Sequence, residues 1–152
     1  MKDLSSEGIF KVDDATLGNI TETFRAYCCT EKQTIETIGE VYRSHGYLCD
    51  PHTAVGMKAA KDYRNDVKDD VPTVVLSTAS PYKFPAPVSQ ALGIELKSDE
   101  FEQIQAICDK TGVPVPGNLS SLRDKKVLHR DVVDRENILD YVLGILGIQK
   151  EA

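Results

Sequence analysis

The run Val71-Pro72-Thr73-Val74-Val75-Leu76-Ser77-Thr78-Ala79-Ser80-Pro81-Tyr82-Lys83-Phe84-Pro85 divides into two halves of opposite character. Residues 73–76 are β-branched and apolar without polar alternation, the pattern of a strand covered on both faces of a parallel sheet. The second half turns polar: Ser77, Thr78 and Ser80 place hydroxyls where the strand is expected to end. Pro81 and Pro85 prevent regular pairing from continuing. Ligands of open α/β sheets bind beyond the carboxyl ends of the strands, which makes this turn a candidate site wall. Ser and Thr are also ordinary turn formers and helix caps, so the run alone leaves both readings open.

Upstream lies a second run, Gly46-Tyr47-Leu48-Cys49-Asp50-Pro51-His52-Thr53-Ala54-Val55-Gly56. Asp50 is a favoured N-cap and Pro51 fits the first helical position, so a helix is expected from residue 51 to about residue 64. Thr53, Ala54 and Gly56 keep one side of its first turns small, which admits a neighbouring backbone or a flat ring. Before it, Leu17, Ile20, Phe24 and Tyr27 share the stripe of one helix capped by Asp13 or Asp14. Thr30-Glu31-Lys32-Gln33 is a capping-box pattern that opens another, with core positions Ile35, Ile38, Val41 and Tyr42 and a stop at Gly46. These two helices are expected to form a hairpin laid against a sheet. Further helices follow after Pro85, after Ser98-Asp99-Glu100 and after Asp134. Residues 8–12 and 127–133 are candidates for short strands.

At 152 residues the chain is long enough for one ordinary domain, and its 41% hydrophobic and 28% charged content suits a globular protein. The net charge of −6 and the lack of a basic stripe with interleaved aromatics argue against nucleic acid and anionic membrane as partners. No apolar run approaches the ~20 residues of a membrane span, and the first residues lack the apolar core of a secretory signal, so a cytoplasmic location is expected. Cys28, Cys29, Cys49 and Cys108 show no metal or redox spacing and are expected to be reduced, mostly buried thiols. Asp50 and His52 find no further metal ligands at useful spacing, so no metal is expected.

Taken together, Leu-Cys-Asp-Pro-His-Thr-Ala-Val-Gly at 48–56 and Leu-Ser-Thr-Ala-Ser-Pro-Tyr-Lys-Phe-Pro at 76–85 resemble the C-terminal part of threonine synthase. The resemblance runs from about Gly8 to the end, although that family usually carries His where Ser80 stands and often Ala where Tyr82 stands. It implies the α/β, tryptophan-synthase-like fold of the pyridoxal phosphate enzymes, in its helix-rich C-terminal part, with few, mostly parallel strands covered by helices. The expected organisation is a single segment of a larger enzyme. Residues 7–66 hold the helical hairpin and the Asp-Pro-His-Thr-Ala helix, and residues 71–152 hold the central strand, its hydroxyl-rich turn and the last helices.

The resemblance also implies conversion of O-phospho-L-homoserine and water to L-threonine and phosphate. By motif match, Thr78, with Ser77 as the alternative, faces the pyridine nitrogen of the cofactor, and Asp50 lies beside its ring. His52, Thr53 and Lys83 are candidates for the substrate pocket. In the family the Schiff-base lysine and the phosphate loop lie earlier in the sequence, and no Gly-rich loop opens a helix here. No catalytic residue is therefore expected in this chain, which should be silent alone and depend on the remainder of the threonine synthase chain. A stand-alone binding or interaction module on the same scaffold is the alternative. An apolar patch left open where strands should pair would favour the larger enzyme, and a sealed polar surface would favour the module.

Overall fold

A computed structural model describes residues 2–68 and 70–148. The chain divides into two compact units, one ending at Ser120 and the other beginning at Ser121. In the first, α1 (Lys2–Glu7) and α2 (Asp14–Thr23) precede α3 (Glu31–His45) and α4 (Pro51–Val67). A single 3-10 turn (Pro81–Lys83) leads into α5 (Pro85–Leu92), α6 (Glu100–Thr111) and the short α7 (Gly117–Ser120). In the second, a 3-10 turn (Arg135–Asn137) runs into α8 (Ile138–Leu146).

Local chemistry explains where these helices begin and end. The Asp13 side chain accepts from Thr16 N and opens α2. Thr30 and Gln33 cap each other's backbone at the start of α3, and Gly46 closes it in the left-handed conformation. Asp50 caps α4 with Pro51 in its first turn, and Asp99 caps α6.

The core joins α3, α4, α5 and α6. Ile38 and Val41 of α3, Leu48 and Cys49 of the following connection, Ala54 of α4, Val88 of α5 and Ile107 of α6 are all buried, as is Tyr82. Tyr82 donates its hydroxyl to Val113 O, tying the 3-10 turn to the chain after α6. Gln103, the buried polar residue of α6, donates to Ser89 Oγ and accepts from Lys97 N, so its amide is satisfied. α3 packs chiefly against α4 and α5, and α5 against α6. At Gly39, α3 approaches α5 so closely that a Cβ would lie 2.8 Å from Ala91 O.

Four expectations are corrected. Among the described residues there is no strand: 8–12, 73–76 and 127–133 are irregular chain. A strand exists only through a ladder with a neighbour, and none of these runs has one here. Val74 and Leu76 are accordingly 83% and 77% exposed. The stripe of α2 is cut short, because the helix stops at Thr23 before Phe24 and Tyr27, and it buries none of its residues. The apolar residues of α8 are likewise not buried. Of the four free thiols only Cys49 is buried, while Cys28 is exposed and Cys29 and Cys108 are half-buried. Burial pushes the Cys49 thiol up to about 11.

Candidate functional site

The site grows from the N-terminus of α4. Because Asp50 caps that helix, its side chain turns inward over the first turn and is fully enclosed. One carboxylate oxygen accepts from His52 N at 2.9 Å and Thr53 N at 3.4 Å, and lies 3.2 Å from His52 Nδ1. The other accepts from the Thr53 hydroxyl. Burial by itself raises the carboxyl's pKa, but these hydrogen bonds outweigh it and hold Asp50 below its ordinary value of 3.8. Asp50 is thus an anion inside the wall, with both oxygens occupied by its own helix.

Thr53 carries the network onward. Its Oγ1 lies 3.4 Å from Ser77 Oγ, and Ser77 Oγ accepts from the Tyr47 hydroxyl at 2.9 Å. Further down α4, a Cβ on Gly56 would lie 3.1 Å from Val75 Cγ1. The small side of the helix expected from Thr53, Ala54 and Gly56 therefore receives the 73–77 run. His52 remains exposed at the edge, its ring tilted 57° against Phe84 with centroids 4.9 Å apart.

Beyond Ser77 the chain borders an open cleft of about 420 Å³. Ser77, Thr78, Ser80 and Lys83 line one part of it, and Pro116, Asn118 and Leu119, around the start of α7, line another. Ser80 is turned to structure, since its Oγ accepts from Tyr82 N and caps the 3-10 turn. Thr78 is exposed, and its hydroxyl has no hydrogen-bond partner among the described residues. Lys83 is exposed and makes no ion pair among them. The cleft thus offers a neutral hydroxyl and an ammonium group. No cluster of three or more His, Cys, Asp or Glu that could hold a metal occurs among the described residues.

The structure brings Asp50, His52, Thr53 and Ser77 into one hydrogen-bonded cluster, and it puts Ser77, Thr78 and Lys83 on one cleft. Tyr47, Phe84 and Asn118 escaped the sequence reading. Tyr47 meets Ser77 across 30 residues and Asn118 arrives from the far side of α6, so no periodicity or cap pattern links them to the site.

The fold belongs with a pyridoxal phosphate enzyme. A threonine synthase from Brucella melitensis, solved with pyridoxal phosphate bound, superposes with a TM-score of 0.62 and 33% identity, covering 83% of this chain and 23% of that one. The family model described as "Threonine synthase, C-terminal" matches residues 53–137. Threonine synthase from Pseudomonas aeruginosa is 43% identical over 86 residues, or 57% of this chain and 18% of that protein. The human protein named threonine synthase-like 1 is 31% identical over 113 residues, covering 73% of this chain and 15% of that protein. The chain belongs to the threonine synthase family and corresponds to its C-terminal portion. It spans less than a quarter of the length of each of these relatives.

Proposed function

We propose that this chain supplies one wall of the active site of a threonine synthase, a cytoplasmic enzyme that converts O-phospho-L-homoserine and water to L-threonine and phosphate. The observation that carries this reading is the family match over residues 53–137, the stretch that contains Thr53, Ser77, Thr78 and Lys83. When bound, pyridoxal phosphate supplies the electron sink that stabilises negative charge developing on the substrate carbons. Thr78 holds the pyridine nitrogen end of the cofactor, because its hydroxyl is exposed to the cleft without a partner among the described residues. Ser77, the alternative, is already engaged by Tyr47 and Thr53.

A neutral hydroxyl can donate to or accept from the pyridine nitrogen and imposes no fixed charge on it. Lys83 presents its ammonium to the phosphate of the substrate, and His52 and Thr53 belong to the adjoining wall. Asp50 acts from behind that wall, since its enclosed carboxylate is taken up by its own helix. The Schiff-base lysine and the phosphate cradle come from the remainder of the enzyme, and residues 73–76 form their strand against that remainder. The open side chains of Val74 and Leu76 support the larger-enzyme reading over a self-sufficient module.

The test is Thr78→Val in the complete enzyme, a change that keeps the side-chain shape and deletes the hydroxyl. Loss of one hydrogen bond, about 1.4 kcal/mol, is expected to weaken pyridoxal phosphate binding about tenfold. Equilibrium dialysis of the cofactor and release of phosphate from O-phospho-L-homoserine read the effect. Unchanged retention and turnover would sink the assignment.

A further inference from the structure

The hydroxyl groups of Thr53 and Ser77 each have a single proton, and the ionised Asp50 fixes where that of Thr53 goes. An anionic carboxylate only accepts, so Thr53 must donate its proton to Asp50. The Thr53 hydroxyl also faces Ser77 Oγ at 3.4 Å, which joins the capped first turn of α4 to the turn that begins at Ser77. Tyr47 donates to Ser77 Oγ from its other side at 2.9 Å. Ser77 Oγ is thus held from two sides, by Tyr47 and by the Thr53 that the enclosed anion fixes. Ser77 is engaged by these two contacts, and the next residue, Thr78, turns to the cleft with an uncommitted hydroxyl.

We infer that Asp50 and Thr53 are positioning residues for the cofactor contact: through Ser77 they anchor the 77–80 turn to the first turn of α4 and present Thr78 to the ring. This inference rests on the functional reading above and extends it, because it assigns the conformation of the turn to one hydrogen-bonded network. Thr53 is the link that matters most. It is buried, it touches both the anion and the turn, and its methyl group keeps the packing when the hydroxyl alone is removed.

The experiment compares Thr53→Val, Thr53→Ser, Ser77→Ala and Thr78→Val in the complete holoenzyme, with kcat and KM for O-phospho-L-homoserine and the pyridoxal phosphate dissociation constant measured for each. Thr53→Val is expected to lower kcat about tenfold with KM within about twofold, as a slight displacement of a reacting group does. Thr53→Ser, which restores the hydroxyl, is expected to recover most of the loss. Ser77→Ala opens the same network at an exposed position and should reproduce the kcat defect without threatening the fold. The inference is overturned if Thr53→Val and Ser77→Ala turn over at the wild-type rate, or if Thr53→Ser fails to rescue, which would mean a packing role. Silence of Thr78→Val on cofactor binding overturns the functional reading instead. Weakened cofactor binding in Thr78→Val alongside fully active Thr53→Val and Ser77→Ala overturns only the positioning role.

Discussion

Asp50→Ala is expected to destabilise the protein by about 3 kcal/mol, made up of a lost helix cap of about 1 kcal/mol and about 2 kcal/mol from the charged hydrogen bond to the Thr53 hydroxyl. The residue is fully enclosed, so water does not readily take over the donors it leaves behind. His52 N, Thr53 N and Thr53 Oγ1 all lose their acceptor in one substitution. Asp50→Asn keeps a capping oxygen and should lose less. The effect depends on pH in a defined direction. The folded-state pKa of Asp50 lies below 3.8, so in the acid range the unfolded chain holds the proton more tightly than the folded one. The contribution is complete above the unfolded value and disappears as pH falls through the folded value. Thermal unfolding followed by circular dichroism should show wild type and Asp50→Asn furthest apart near pH 7 and converging as the pH falls below 3.8. A gap that stays constant from pH 7 to pH 2 would show that the carboxylate charge adds nothing.

The second large effect lies at Gly39. A Cβ there would sit 2.8 Å from Ala91 O and 2.9 Å from Arg43 Nη1. The arginine end can swing aside, but the carbonyl belongs to the backbone of α5 and moves only with that helix. Gly39→Ala therefore sets a gain in helix propensity of about 1 kcal/mol against a steric cost of similar or larger size. Gly39→Val adds two more methyl groups to the same gap and is expected to cost about 3 kcal/mol. Urea unfolding should show a lower midpoint at an unchanged slope. A midpoint equal to that of wild type would mean that α3 and α5 are not in close register at this point.

Features whose causes lie within a few residues were readable from the sequence. The Asp50-Pro51 start of α4, the Thr30–Gln33 capping box and the Gly46 stop each depend on groups no more than four residues apart, and all three occur as expected. Of the inward residues expected in α3, Ile38 and Val41 are buried and Tyr42 packs against the core, whereas Ile35 is half-buried and outside it. Features that need a distant partner were not readable. Residues 73–76 have strand chemistry, but side-chain pattern cannot supply the neighbouring backbone that makes a strand. Leu17 and Ile20 have helical spacing, and spacing alone does not say what covers them. In the site, Asp50 was legible as a cap and Thr78 as a hydroxyl at the end of an apolar run. That Thr53 and Tyr47 both engage Ser77 depends on contacts between residues 24 and 30 positions apart.

The burial of Cys49 gives the site a built-in reporter. Cys49, the chain neighbour of Asp50, is buried and its thiol is pushed up to about 11, so at neutral pH it is both shielded and protonated. Any alkylation of Cys49 must wait for the wall to open, whereas Cys28 on the surface is accessible throughout. The ratio of the two labelling rates therefore tracks how often Cys49 becomes exposed, using only cysteines that the chain already carries.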